Sequence, residues 1–226
     1  MKKILLSAAR KVFSPPQIAA LRHIATELQI WYYHRKGLWD IRQRSLSKPS
    51  KINLGSGPVR KHGYLNIDLF PGADLTLDLR EGLPFGSNCC EIIFSEHFFE
   101  HIDYPEPARH LFSECFRVLQ PGGILGFSVP DTEWPLHDYR DGSKGPYFLA
   151  CNENPWHPSY CITRLEHINY HFRQHGQRLF AYDEETVRKL LEPLGFSEIT
   201  RDSFDPQLDS EHRRIGSLFI SARKPT

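Results

Sequence analysis

Several short stretches of the chain carry residue types that could hold a small ligand and act on it. Asn53-Leu54-Gly55-Ser56-Gly57 closes an apolar run, and glycines at 55 and 57 let the backbone turn sharply and approach a ligand with no β-carbon in the way. Asp68, followed by Leu69, ends the next apolar run, the position from which a carboxylate accepts hydrogen bonds from a ribose diol. In Leu77-Asp78-Leu79, the acid can accept from an exocyclic amine while Leu79 covers a purine face. A lone Gly-x-Gly equally serves a plain tight turn, but a glycine turn followed by two acids is the order an adenosine ligand needs. Farther on lie Ser95, Glu96 and His97, with His101 one helical turn beyond. His97 is the first candidate for a general base, because an imidazole with a pKa of about 6.5 accepts a proton near neutrality. His97 and His101 could equally shape a pocket or cap a helix, and Glu96 could orient a ligand's amino end.

The elements that must position these residues are legible as periodicity. Residues 51–54, 64–68, 74–79, 91–95, 124–129, 197–202 and 217–222 read as strands. A helix is expected over about 105–119, with Ala108, Leu111, Phe112, Cys115, Phe116 and Leu119 on one face and Pro121-Gly122-Gly123 ending it. Another runs from an Asp183 cap to Leu194, with Gly195 as its stop. Strands alternating with helices imply an α/β, doubly wound, mostly parallel sheet covered on both faces, with its ligand beyond the carboxyl ends of the strands. Gly55 and Asp68 are only 13 positions apart, too close for a full crossover helix, so a turn around Val59 to His62 is expected there. Residues 131–180 are too long for an ordinary connection and carry Trp134, Tyr139, Tyr147, Phe148, Trp156, Tyr160, Tyr170 and Phe172. They are expected as an irregular, acceptor-binding cap, although a satellite core would use the same aromatics.

Taken together, Ile52-Asn53-Leu54-Gly55-Ser56-Gly57, Asn66-Ile67-Asp68, Leu77-Asp78-Leu79 with Leu83-Pro84-Phe85, Ile92-Ile93-Phe94-Ser95-Glu96-His97 with Glu100-His101, Arg117-Val118-Leu119-Gln120-Pro121-Gly122-Gly123 and Leu190-Leu191-Glu192-Pro193-Leu194-Gly195-Phe196 resemble the class I S-adenosylmethionine-dependent methyltransferases of the type 11 group. The resemblance covers about Lys51 to Lys224. It implies a Rossmann-like sheet of seven strands with the last antiparallel, and S-adenosylmethionine as cofactor. It assigns the cofactor to Asn53, Leu54, Gly55, Ser56, Gly57, Asp68, Leu69, Asp78, Leu79, Ser95 and Glu96. The implied activity is methyl transfer to a small-molecule acceptor with His97 or His101 as the base, and the aromatic residues of 131–180, with their ring-stacking surfaces, make a hydroxyl of a sugar or glycan precursor the expected site. Asn53 departs from the family, which has an acid there.

The sequence of 226 residues divides into residues 1–48, a basic amphipathic helical extension, and residues 49–226, the main domain with the 131–180 insertion, joined at Ser45-Leu46-Ser47-Lys48-Pro49-Ser50. Residues 1–50 hold ten Lys and Arg against Glu27 and Asp40, a balance of +8, and the rest of the chain carries −7. Ser14, Pro15 and Pro16 suit a helix start, and Ile18, Leu21, Ala25, Leu28 and Trp31 form a stripe expected to pack on the main domain, with peripheral membrane or nucleic-acid contact as the alternatives. Its deletion is expected to leave cofactor binding nearly intact. Nucleic acid is disfavoured as the acceptor because the acidic domain lacks the cationic cleft such a polymer needs. A nucleic-acid-directed enzyme and a non-catalytic cofactor-binding domain that serves a partner protein stand as alternatives.

Five cysteines without a CxxC pair fit neither a disulfide framework nor a thiolate zinc site, and the apolar stretch after Lys2 and Lys3 is too short for a signal peptide, so a cytoplasmic protein is expected. His157 and Cys161, and His167, His171 and His175, recur at steps of four that could recruit zinc. No acidic partner or paired cysteine motif joins them, so no metal is assigned, and the family resemblance leaves His171 or His175 to line the acceptor site.

Overall fold

The computed structural model describes residues 13–69, 72–141, 145–153 and 156–226. The apolar stretch after Lys2 and Lys3 lies outside them. Helix α1 spans Pro15–Gln43. Its first turn is set by two prolines, which need no hydrogen bond there, and by the Ser14 amide donating to Gln17 Oε1 at 2.8 Å. Then come β1 (Lys51–Leu54), β2 (Leu65–Asp68), β3 (Leu75–Thr76), β4 (Cys90–Glu96), α2 (Glu106–Val118) and β5 (Leu119–Pro130). Three helices follow, α3 (Glu133–Asp141), α4 (Pro146–Glu153) and α5 (Arg164–Arg173), then α6 (Glu184–Leu191), β6 (Ser197–Asp202) and β7 (Ser217–Arg223).

The seven strands form one sheet in the order β3-β2-β1-β4-β5-β7-β6. Pairs from β3 to β5 are parallel, whereas β7 runs antiparallel to both β5 and β6. The order reverses between β1 and β4, which opens a crevice at their carboxyl ends. Between β1 and β2 the chain makes turns and no helix, as the short spacing required. Ile52, Leu54, Ile67 and Ile93 on the sheet and Ala108, Leu111, Phe112, Cys115 and Val118 of α2 are buried in one core. Asp183 caps α6 by accepting from the Thr186 amide at 2.8 Å, and Gly195, at φ 100°, ends the turn that follows it.

The structure departs from the sequence expectations in several places. Leu119 begins β5, because it pairs with Cys90, so the Pro-Gly-Gly turn lies inside a bulged strand. The third strand is only Leu75–Thr76, and Asp78 instead caps a single 3-10 turn, Leu79–Glu81. The α1 stripe does not pack on the domain: Leu21, Ala25, Leu28 and Trp31 are exposed, and of the stripe only Ile18 is buried. The opposite face docks, through Ile30, His34, Gly37, Leu38 and Ile41, because Gly37 lets the helix lie against β3. A β-carbon at Gly37 would stand 2.2 Å from the Thr76 carbonyl oxygen. Residues 131–180 are mainly helical, and Tyr147, Phe148, Cys151 and Ile168 form a satellite core with Trp134, Trp156 and Phe172. Among the described residues no helix is long and apolar enough to cross a membrane.

Candidate active site

The crevice at the switch point is a cavity of about 550 Å³. Its floor is the turn after β1. Gly55 has φ 62°, and a β-carbon there would fall 2.3 Å from the Phe98 ring, so glycine is needed both for conformation and for space. The Gly57 amide donates to Asp68 Oδ2 at 2.8 Å, and the Ser56 amide to the Ile67 carbonyl at 3.1 Å, which fixes the loop against the end of β2. Behind it, Asn53 donates to Asn66 Oδ1 at 3.0 Å from the neighbouring strand. Asn66 in turn donates to the Lys61 and Tyr64 carbonyls and to Asp74 Oδ2. Asn53 therefore serves the helix-free crossover through its amide, a bond that a carboxylate could not donate.

Asp78 stands on the other side of the cavity. Burial works against its charge, yet bonds from the Arg80 guanidinium and amide hold its carboxyl below the usual carboxylate range. Arg80 also pairs with Glu27 at 2.8 Å, and the Asp78 amide lies 3.2 Å from His34 Nδ1. Helix α1 thus supports this wall and adds Ile30 to it. Leu69 and Leu79 supply apolar lining beside the two acids.

At the end of β4 the expected residues separate. Strand alternation turns Ser95 away from Glu96, and its fully buried hydroxyl does not line the cavity. Leu54 likewise belongs to the core and not to the cavity wall. Glu96 lines the cavity, but its carboxylate accepts from the Ser210 amide and hydroxyl at 2.7 and 2.9 Å and pairs with Lys61 at 3.0 Å. It therefore pins the segment before β7, which brings Ser210, His212 and Arg213 into the cavity wall. Sequence reading missed this wall, although an antiparallel β7 that starts opposite Pro130 must be entered from the carboxyl edge. Among the described residues, none of 131–180 lines the cavity.

His97, at φ 50°, is held at both ring nitrogens. Arg213 donates to Nδ1 at 2.9 Å, so the proton resides on Nε2, which donates to Ser217 Oγ at 2.7 Å. Burial and the Arg213 charge push its pKa well below 6.5. The expected base is therefore a neutral strut whose lone pair is already occupied. His101 differs. Its Nδ1 lies 2.8 Å from the Gln177 carbonyl, which requires the proton on Nδ1 and leaves Nε2 as the basic atom, 3.9 Å from Glu100 Oε1 and beyond hydrogen-bond reach. His101 lines the cavity. Glu100 is fully buried, and that burial raises its pKa.

Residues 67–127 match a family model described as a methyltransferase domain. Over 65 residues the chain is 38% identical to malonyl-(acyl-carrier protein) O-methyltransferase 1 of Coxiella burnetii (strain RSA 493 / Nine Mile phase I), a match spanning 27% of this chain and 22% of that protein. The chain thus covers about a fifth of the length of this curated relative. Among solved structures, phosphoethanolamine N-methyltransferase 2 of Haemonchus contortus in complex with S-adenosyl-L-methionine aligns at 15% identity and TM-score 0.48, over 85% of this chain and 53% of that one. An S-adenosylmethionine-dependent methyltransferase from Archaeoglobus fulgidus aligns at 14% identity and TM-score 0.47, over 84% and 94%. The family match covers the end of β2 with Asp68, Asp78, β4 and residues 117–123, and it leaves out the glycine turn at 52–57 and residues 190–196.

Proposed function

We propose that the protein is an S-adenosylmethionine-dependent methyltransferase acting on a hydroxyl of a small molecule. The observation that carries this reading is the Gly57 amide bonded to the Asp68 carboxylate at the switch point of the sheet, with Asp78 on the facing wall. Two β-carbon-free positions and two spaced carboxylates fit an adenosyl group, and the cavity volume suits one cofactor with room for a small acceptor. The cofactor supplies a methyl group on a sulfonium, a good leaving group, so the protein's work is alignment and removal of the acceptor proton.

Asp68 holds the ribose diol and Asp78 the exocyclic amine, with Leu69 and Leu79 against the base. His101 takes the acceptor proton on Nε2. His97 and Glu96 hold Arg213 and Ser210 in place and so shape the acceptor end. The match to a relative named as an O-methyltransferase agrees with an oxygen acceptor. The acidic main domain argues against a phosphate-rich polymer. The test is transfer of a labelled methyl group to a panel of small hydroxylated acceptors, with transfer RNA as the contrasting substrate. Turnover confined to the RNA would remove the acceptor assignment. We also propose that the exposed Leu21, Leu28 and Trp31, flanked by the extension's cations, contact an anionic membrane surface peripherally. Vesicle binding that survived loss of Leu28 and Trp31 would refute that contact.

A further inference from the structure

Away from the cavity, the satellite core gathers three metal-ligating side chains from separate places. Cys151 lies on α4, His167 on α5, and His157 on the connection between them. One ligand atom from each lies within 4.8 Å of the others. We propose that Cys151, His157 and His167 bind a zinc ion that ties α4 to α5.

The geometry is close to what zinc requires. Tetrahedral bonds of about 2.0 to 2.3 Å place ligand atoms roughly 3.5 Å apart, so small side-chain rotations complete the set. His157 Nδ1 and His167 Nδ1 are 2.8 Å apart in nearly stacked rings. A single shared proton joins this pair, and replacing it by a cation satisfies both lone pairs. On binding, the Cys151 thiol loses its proton to solvent as the Zn–S bond forms, and the proton between the two Nδ1 atoms moves to its own ring's Nε2, so both imidazoles bind as neutral rings while the metal stays Zn²⁺. One thiolate with two imidazoles favours zinc over the hard cations magnesium and calcium. A fourth position remains for water.

A reason for such a staple is visible in the packing. Among the described residues, the satellite core consists of the buried Tyr147, Phe148, Cys151 and Ile168 with the partly buried Trp134, Trp156 and Phe172, a small core for three short helices that a metal link would reinforce. The sequence pattern pointed to His157 and His167 but paired them with Cys161, His171 and His175. Helical steps of four mark one face of a helix, whereas this cluster joins two helices and a connection, and Cys151 has no spacing signature at all. His175 stays outside the cluster, next to Tyr160.

The test uses the full-length protein, expressed with zinc and dialysed against metal-free buffer. Elemental analysis is expected to find about one zinc per chain in the parent and in Cys89→Ser, and less than about a tenth of that in Cys151→Ser and in His157→Ala/His167→Ala. Because those variants could misfold, the chelated parent is also titrated with cobalt(II). Tetrahedral visible bands and a thiolate charge-transfer band are expected, with the thiolate band absent in Cys151→Ser that retains its circular dichroism. A parent that carries no zinc and shows no tetrahedral cobalt spectrum, or a Cys151→Ser variant that holds zinc as the parent does, overturns the proposal.

Discussion

Asn53 on β1 and Asn66 on β2 meet side chain to side chain at 3.0 Å in a buried position, with Asn53 as the donor. Asn66 cannot reverse its amide to suit a different partner. Its nitrogen donates to Lys61, Tyr64 and Asp74, and its oxygen also accepts from the Lys61 amide at 2.8 Å. An acid at this position, Asn53→Asp, would therefore face two acceptors with no proton between them. We expect a loss of about 1 to 3 kcal/mol in stability by urea denaturation, the cost of an unsatisfied buried polar group. Unchanged stability would show that the pair does not hold the crossover.

Gly37 gives a second stability test. Alanine is the better helix former by about 1 kcal/mol, so Gly37→Ala would stabilise a free helix. Here its β-carbon would stand 2.2 Å from the Thr76 carbonyl oxygen and 2.8 Å from Leu77 Cδ2. We expect net destabilisation of about 1 to 3 kcal/mol by overpacking, visible as a lower denaturation midpoint. A raised midpoint would mean that α1 is not docked on β3.

The docking of α1 also changes what truncation should do. The sequence alone suggested that the extension could be removed with little effect on cofactor binding. The structure gives it Ile30 in the cavity wall, His34 beside the Asp78 amide and Glu27 on Arg80. Deleting residues 1–48 is now expected to weaken cofactor binding by about tenfold or more, equivalent to about 1.4 kcal/mol. Binding equal to the parent's in equilibrium dialysis would restore the earlier view.

The parts of the fold that were legible are those that local physics determines. Periodicity marked α2 and α6, and the 13 positions between Gly55 and Asp68 excluded a crossover helix. Asp68 could be placed because a residue at the end of a parallel strand has a fixed relation to the crevice, whereas Asp78 reaches the cavity from the cap of a 3-10 turn two residues beyond a shorter β3. The misreadings share another cause. Which face of α1 docks depends on the approach allowed by Gly37, and His97 lost its role to Arg213, 116 positions away. Such pairings leave no local pattern. The three helices within 131–180 were hidden because their aromatics suit a cap and a small core equally well.

Acid should destabilise the fold earlier than its carboxylates alone would. Burial keeps His97 neutral with a strongly depressed pKa, and it pushes His171 down to about 3. Since the unfolded chain binds these protons near pH 6.5 and the folded chain only well below it, stability falls as pH drops from about 6.5. Asp74 adds a second loss at lower pH. Burial opposes its charge, but bonds from Asn66 and the charges of Arg60 and Arg44 lower its pKa, so the stability it contributes is present above about pH 4 and disappears below. Denaturation midpoints measured from pH 7.5 to 4 test the histidine part, and their continuation to about pH 2.5 tests Asp74. A flat profile down to pH 4.5 would contradict the buried, neutral histidines.

His101 and His97 make opposite predictions. His101→Ala should lower turnover by about a hundredfold while leaving cofactor affinity within a few fold, as expected when a proton acceptor is lost. His97→Ala should instead lower stability and loosen Arg213. A normal rate in His101→Ala would remove it as the base.

The most direct test of the central claim is isothermal calorimetry of S-adenosylmethionine binding to the full chain and to Asp68→Asn. Asparagine preserves an acceptor for the Gly57 amide, so the loop should persist while the charged partner of the diol is lost. The expected result is one site per chain in the parent, weakened by about 1.5 to 3 kcal/mol in the variant, the scale of a hydrogen bond to a charged group. Absence of binding by the parent, or equal affinity in Asp68→Asn, would contradict the assignment of this crevice to the cofactor.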